Sequence, residues 1–328
     1  MKKAFLSGCT GQVGSYLAEK LLEKNWEVHG LIRRNSTSNL GNIAGIADKL
    51  ILHEGDLIDK ECLRNLMKEI RPDIVFNLAA QSHVGTSFSN PSYTLDVTGI
   101  GAMNLMDVFK EFCPDSRFFQ SSSSEMFGAN TAIPQNENTS LHPVSPYGIA
   151  KTLAHLYAHM LRKEGYFITC GICFNMESER RGLNFVTQKI AKAAGQQEYI
   201  KLGNLSAKRD WGYAPEYVQG ILQMMELGKP DDFILATNES HSVQEFLEVA
   251  FQYRGLNWAD YVTIDSTLMR PNEIPWLQGS YEKMRSRTGW KPKTTFIQLV
   301  YKMVDFWNMG ELKYNFTSTQ DYSNKETS

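Results

Sequence analysis

Residues 8–14 read Gly-Cys-Thr-Gly-Gln-Val-Gly, set directly between the apolar run "KKAFLS" and an amphipathic stretch over 11–24. Few short patterns constrain a fold as strongly. Glycines at this spacing allow a tight turn out of a strand, close approach of backbone to an anion, and close packing of the following helix. The helix N-terminus that follows offers free N–H groups and a positive partial charge. A strand, this turn and a helix together open a nucleotide-binding α/β unit, and the context makes the glycine triplet informative. Gly8, Thr10, Gly11, Gln12, Val13 and Gly14 are therefore candidate cofactor contacts.

The rest of the first half repeats the alternation. "EVHGLI", "KLILHEG", "DIVFNLA", "SRFFQS" and "FITCGICF" read as strands, separated by helices around 60–69, 92–112 and 146–164. Strands alternating with helices imply βαβ units, and right-handed crossovers make the sheet parallel and doubly wound. After residue 174 the rhythm loosens. The expected organisation is a nucleotide-binding domain over 1–174, rejoined by part of 211–240, then a smaller α/β substrate lobe over 175–308. A polar tail over 309–328 completes the chain.

Composition narrows the function. A formal net charge of −2 gives no electrostatic footprint for nucleic acid. No apolar run is long enough to span a membrane. Met1-Lys2-Lys3 and the apolar residues after it imitate a signal peptide, but the run breaks at Ser7-Gly8 and reads better as a strand. Five cysteines, an odd and sparse set, point to a reducing compartment, so a cytoplasmic location is expected. Cys170 and Cys173 form a C-x-x-C, yet in a strand they face opposite ways and no second pair completes a metal site. They are expected to be core thiols.

The end of the second strand selects the dinucleotide. NAD binders place an acid there for the ribose 2′-hydroxyl. This chain has Arg33-Arg34-Asn35-Ser36, and guanidinium groups suit a 2′-phosphate by charge and geometry. The reading is NADP. Asp56 and Leu57 after the third strand, and Leu78, Ala79 and Ala80 after the fourth, are placed to border the adenine and sugars.

Two further segments carry chemistry. "SPYGIAK" over 145–151 places Tyr147 and Lys151 one helical turn apart, behind a Ser145 cap and Pro146 at the first helical position. A neighbouring ammonium and a cationic nicotinamide are expected to lower the tyrosine's pKa enough for it to act as a base. "FFQSSSSEMFG" over 118–128 is too short and too aromatic for a flexible linker, so its hydroxyls and its carboxylate belong to a strand end.

The glycine turn, the serine strand end and the Tyr-x-x-x-Lys pair together resemble the extended short-chain dehydrogenase/reductase family, a Rossmann fold. Within it the chain most resembles the GDP-mannose 4,6-dehydratases, from residue 2 to 307, through "NLAAQSHV", "SSSSEMFG", "SPYGIAK", "NFVTQKI", "LGNLSAKRDWG", "ATNESHSVQEF" and "RPNE". The resemblance implies that Ser123 bonds the sugar hydroxyl being oxidised, Tyr147 and Lys151 carry out that oxidation, and Glu125 is the general acid/base. It adds Ser82, Tyr93, Tyr147, Lys151 and Arg181 to the cofactor contacts. It places Ser82, Ser123, Glu125, Tyr147, Asn175, Lys189, Arg209, Arg270 and Glu273 against a GDP-sugar. The implied reaction oxidises C4, removes water across C5–C6 and returns hydride to C6. A homodimer or homotetramer is expected.

The chain departs from the family pattern at three places. Val13 stands for a common Asp in the glycine loop, "NMESE" for "NHESP", and Ser122-Ser123-Ser124-Glu125 for Ser-Thr-Ser-Glu. Met176 cannot repeat the histidine's polar contact, and Glu179 replaces a proline. The sugar remains open between mannose and the corresponding heptose. A 4-keto sugar-nucleotide reductase or epimerase, or a non-catalytic NADP-binding scaffold, are the rival readings, and Glu125 with Tyr147 and Lys151 weighs against them.

Overall fold

The computed structural model describes residues 1–33 and 40–308. Its centre is a seven-stranded parallel sheet. Strands β1 (Lys3–Ser7), β2 (Glu27–Ile32), β3 (Ile51–Glu54), β4 (Ile74–Asn77), β5 (Arg117–Ser123) and β6 (Phe167–Cys173) form most of it. The chain then leaves the sheet for β7 (Asn175–Glu177), β8 (Ile200–Leu202), β9 (Lys208–Arg209) and β10 (Trp211–Tyr213), and returns with β11 (Asp232–Leu235). The order across the sheet is β11-β6-β5-β4-β1-β2-β3, so the winding reverses between β1 and β4. Ligands of such sheets bind outside the strand ends at that reversal.

Helices α1 (Gln12–Glu23), α2 (Lys60–Ile70), α3 (Val84–Ser89) and α4 (Pro91–Thr94) follow the early strands. A π-helical turn over Leu95–Ile100 runs straight into α5 (Gly101–Phe112), so the single helix expected over 92–112 has an irregular first half. Helix α6 (Pro146–Lys163) starts as its sequence dictates, with the Ser145 hydroxyl accepting from the Gly148 N–H at 3.0 Å. Consecutive strand residues serve opposite faces. Phe118 joins the core beneath α2, α5 and α6, whereas Phe119 joins the core shared with α1 and with α8 (Ala214–Glu226), after α7 (Val186–Gln196). Each buried aromatic contributes roughly 1.5–3 kcal/mol. Cys170 and Cys173 divide in the same way between the two cores.

Residues 211–235 thus supply α8 and β11 to the nucleotide-binding sheet. A separate core gathers α7, α9 (Val243–Tyr253) and, beyond α10 (Glu282–Thr288), α11 (Phe296–Asn308) around Trp211, Phe246, Phe251 and Met303. Strands β12 (His241–Ser242) and β13 (Val262–Ile264) pair with β9 and β8. No described helix is long and apolar enough to cross a membrane. The tail over 309–328 lies outside the described residues.

Candidate active site

The reversal point is built from hydroxyl and glycine. Buried Ser7 at the end of β1 accepts the N–H groups of Leu78 (3.1 Å) and Ala79 (3.2 Å) and donates to Asn77 Oδ1 (2.7 Å), pinning the two loops together. Gly8 has φ +73°, and a Cβ there would stand 2.8 Å from the Ala79 nitrogen. A Cβ on Gly14 would stand 2.1 Å from the Gly8 carbonyl oxygen. Helix α1 begins at Gly11 with no side-chain cap and no acid in its first turn, leaving its N–H groups for an anion. This cradle fits a dinucleotide pyrophosphate. The Gln12 side chain is engaged elsewhere: its amide donates to Met176 O (2.8 Å) and accepts from Ser178 Oγ (2.7 Å).

Arg33 leaves the end of β2 and donates to the Tyr93 hydroxyl at 2.9 Å. Arg34, Asn35 and Ser36 lie outside the described residues. Asp56, Leu57, Leu78, Ala79, Ala80, Ser82 and Tyr93 line one cavity together with Arg33.

The end of β5 meets the start of α6 over this cradle. Ser123 Oγ accepts the Glu125 N–H at 3.2 Å as the strand turns into a short 3₁₀ helix. Lys151 is buried and donates to the Ser121 carbonyl at 2.7 Å, with its ammonium 5.8 Å from the Tyr147 ring centre. Burial pushes Lys151 down to about 8, with Cys173 opposing the fall. Burial also holds Tyr147 well above its ordinary value and Glu125 adds to this, although Ser123 bonding and Arg181 draw it down. The expected lowering needs the cationic nicotinamide as well as the lysine; without the cofactor, desolvation dominates. Burial raises Glu125 too; Arg209 and Arg270 oppose the rise and Glu273 reinforces it.

The second lobe supplies cations. Arg181 approaches Glu177 at 3.2 Å and stacks over Phe185 at 3.5 Å. Arg209 is buried, donates to Glu273 (2.6 Å) and Ile274 O (2.8 Å), and Arg270 lies 3.8 Å from the same Glu273 carboxylate. Asn175, Lys189, Arg209, Arg270 and Glu273 face Ser123, Glu125 and Tyr147 across one cavity of about 690 Å³. That volume suits a dinucleotide's reactive end together with a sugar nucleotide's.

The same cavity is lined by residues that the sequence reading left without a role. His83 caps α3 by accepting the Thr86 N–H at 3.1 Å and packs edge-on against Phe185 at 5.6 Å. Asn184, Lys201 and Asn204 join them. The stretches "NLAAQSHV" and "NFVTQKI" held the signal for His83, Asn184 and Phe185.

A sequence profile described as GDP-mannose 4,6 dehydratase matches residues 5–303. The chain belongs to that family. The Arabidopsis thaliana protein named GDP-mannose 4,6 dehydratase 1 is 47% identical over 322 residues, covering 93% of this chain and 89% of the relative. The Homo sapiens GDP-mannose 4,6 dehydratase is 43% identical over 335 residues, covering 92% and 90%. Among solved structures, a UDP-glucose 4-epimerase from Thermotoga maritima aligns with TM-score 0.85 at 23% identity, covering 94% of this chain and 99% of that one. A dTDP-glucose 4,6-dehydratase from Streptomyces venezuelae, with NAD bound, gives TM-score 0.85 at 19% identity, covering 94% and 98%. At those identities the structures establish the fold alone, a doubly wound Rossmann-type sheet. Against this GDP-mannose 4,6-dehydratase background, Met176 packs its side chain on the core beside α1 and gives only its backbone oxygen to Gln12. Glu179 takes up new partners, the Tyr213 hydroxyl at 3.4 Å and, through its carbonyl, Gln188.

Proposed function

We propose that this enzyme converts GDP-mannose to GDP-4-keto-6-deoxymannose with NADP as its cofactor. The observation that carries the reading is Glu125. A carboxyl with raised affinity for its proton shares one cavity with Ser123, Tyr147, Lys151 and the cations Arg209 and Arg270. An epimerase or a simple reductase has no use for it.

Bound NADP would supply reversible hydride transfer, from C4 and back to C6. Tyr147 removes the C4 hydroxyl proton while Ser123 bonds that oxygen, and Lys151 supplies the positive charge that stabilises the phenolate. The resulting C4 carbonyl acidifies C5–H. Glu125 then takes the C5 proton and delivers it to the departing C6 hydroxyl, so one water leaves. As hydride returns to C6, C5 regains a proton from Glu125, which exchanges with solvent water, while Tyr147 releases the C4 hydroxyl proton to solvent. Arg209 and Arg270 offer charge-assisted hydrogen bonds to the substrate diphosphate, with Lys189 as a further cation, and Asn175 and Ser82 bordering the sugar. The cofactor would be held by the Gly8–Gly14 cradle, by Arg33 with Tyr93 towards the 2′-phosphate, and by Arg181.

Five unpaired cysteines support a reducing, cytoplasmic setting. Exposed Ile149, Leu156 and Met160 on α6 support assembly into a homodimer or homotetramer. The decisive experiment incubates the enzyme separately with GDP-mannose and GDP-manno-heptose and follows products by mass spectrometry. Loss of one water from GDP-mannose is expected. Loss from the heptose alone would move the substrate assignment, and loss from neither would remove the dehydratase reading.

A further inference from the structure

Behind the catalytic strand, on the part of α6 beyond Lys151, lies a polar cluster for which the proposed chemistry has no use. His155 and His159 stand one turn apart on α6, their ring centres 4.4 Å from each other. Asp232 opens β11 and faces both. His155 Nε2 is 4.0 Å from Asp232 Oδ2, and His159 Nε2 is 2.5 Å from the same oxygen. Among the described residues this is the one group of three His, Cys, Asp or Glu side chains whose donor atoms converge within 4.8 Å.

The outward atoms of His155 and Asp232 are already committed. Ser122 Oγ lies 2.9 Å from His155 Nδ1, so an Nδ1–H donated to that hydroxyl leaves the Nε2 lone pair facing Asp232. Arg162 donates to Asp232 Oδ1 at 2.7 Å and so leaves Oδ2 facing the histidines. Supporting bonds of this type orient ligands and fix the histidine tautomer in metal sites. Tetrahedral coordination with bonds near 2.0–2.1 Å puts ligand atoms about 3.4 Å apart. The separations from Asp232 of 2.5 and 4.0 Å straddle that distance, and every pair lies within 4.8 Å. Side-chain shifts below about 1 Å would bring all three into range.

From this geometry we infer that His155, His159 and Asp232 form a binding site for a divalent transition-metal ion, with zinc the best match. Two imidazoles and one carboxylate favour zinc over magnesium or calcium, which take oxygen donors. The fourth position is left for water from the side of His159, whose side chain is 36% exposed, whereas His155 and Asp232 are buried. The ion would tie α6 to the edge strand β11. It would do so beside Ser122, whose neighbours on β5 are Ser121, the acceptor of the Lys151 ammonium, and Ser123.

Full-length protein, treated with chelator and desalted, is titrated with zinc alone by calorimetry and with cobalt(II) by visible absorption. The expected result is one equivalent bound, with the intense cobalt bands of four-coordinate nitrogen and oxygen ligation, and a zinc-dependent rise in Tm. His159→Ala, at the most exposed corner of the cluster, should keep the fold by circular dichroism and weaken binding at least tenfold. His155→Gln should do the same. The absence of saturable binding by the unsubstituted protein would overturn the site. So would unchanged affinity in both variants, or magnesium binding as tightly as zinc.

Discussion

Arg209 and Arg270 reach one carboxylate, that of Glu273, at 2.6 and 3.8 Å. Two guanidinium groups over a single acid leave net positive charge facing the cavity, as a diphosphate requires. They differ in what else they hold. Arg209 is buried and also donates to the carbonyls of Lys208 and Ile274, so replacing it would strip partners from buried acceptors as well as from substrate. Arg270 is the cleaner test, with its side chain 31% exposed. Arg270→Ala should weaken GDP-sugar binding roughly ten- to hundredfold, the cost of one charge-assisted hydrogen bond of about 1.5–3 kcal/mol. NADP affinity and Tm should barely move. Calorimetry with each ligand checks this, and an equal loss of NADP affinity would assign Arg270 to the cofactor or to folding.

Cofactor choice turns on Arg33, held at the end of β2 by the Tyr93 hydroxyl. The double substitution Arg33→Ala, Arg34→Ala should reduce the preference for NADP over NAD by at least tenfold, because on the proposed reading it removes the two cations assigned to the 2′-phosphate and takes nothing from the shared dinucleotide frame. Fluorescence titration with both cofactors measures the ratio. A ratio that survives the double substitution would place the 2′-phosphate elsewhere.

Much of this architecture was legible because its causes are local. The glycine turn, the Ser145-Pro146 helix start and the alternation of Phe118 and Phe119 each follow from neighbouring residues. The pairing of β11 with β6, by contrast, is a long-range event that joins residues some sixty positions apart. What escaped reading depends on burial and on distant partners. Tyr147 stands on the expected helix face, but the weight of desolvation on its proton affinity shows only once the fold buries it. Asp232 is 73 residues from His159, and no spacing rule links them. Met176 was legible as a missing polar contact, whereas the bond from Gln12 to its carbonyl appears only in three dimensions.

The glycine cradle can be tested without touching charge. A Cβ at position 14 would press to 2.1 Å from the Gly8 carbonyl oxygen, a backbone atom with no freedom to yield. Gly14→Ala should therefore push α1 away from the loop, lowering dinucleotide affinity by at least tenfold and lowering Tm as well. Intact affinity and Tm would show that the helix and loop can separate without loss, contrary to the close packing assigned to Gly14.

Glu125 allows stability and chemistry to be read from one substitution. Its folded proton affinity lies above the ordinary glutamate value because burial disfavours the charge. Between the ordinary value of about 4.3 and the raised folded value, the folded chain holds more proton than the unfolded one. Stability therefore declines as pH rises through that window, and the full penalty is present above it. Glu125→Gln removes the buried charge, so its Tm should exceed that of the unsubstituted enzyme at pH 7 and match it near pH 4. Each kcal/mol recovered is worth roughly 2–4 °C. Thermal melts at the two pH values read this without substrate. With GDP-mannose, Tyr147 and Lys151 can still oxidise C4, whereas removal of the C5 proton should stop. The variant should show near-ultraviolet absorbance of reduced nicotinamide in stoichiometric amount, no loss of water, and no solvent deuterium at C5. The unsubstituted enzyme should place deuterium at C5 and accumulate no reduced cofactor. Full yield of the 6-deoxy product from Glu125→Gln would take the acid/base role away from Glu125, whatever the melts show.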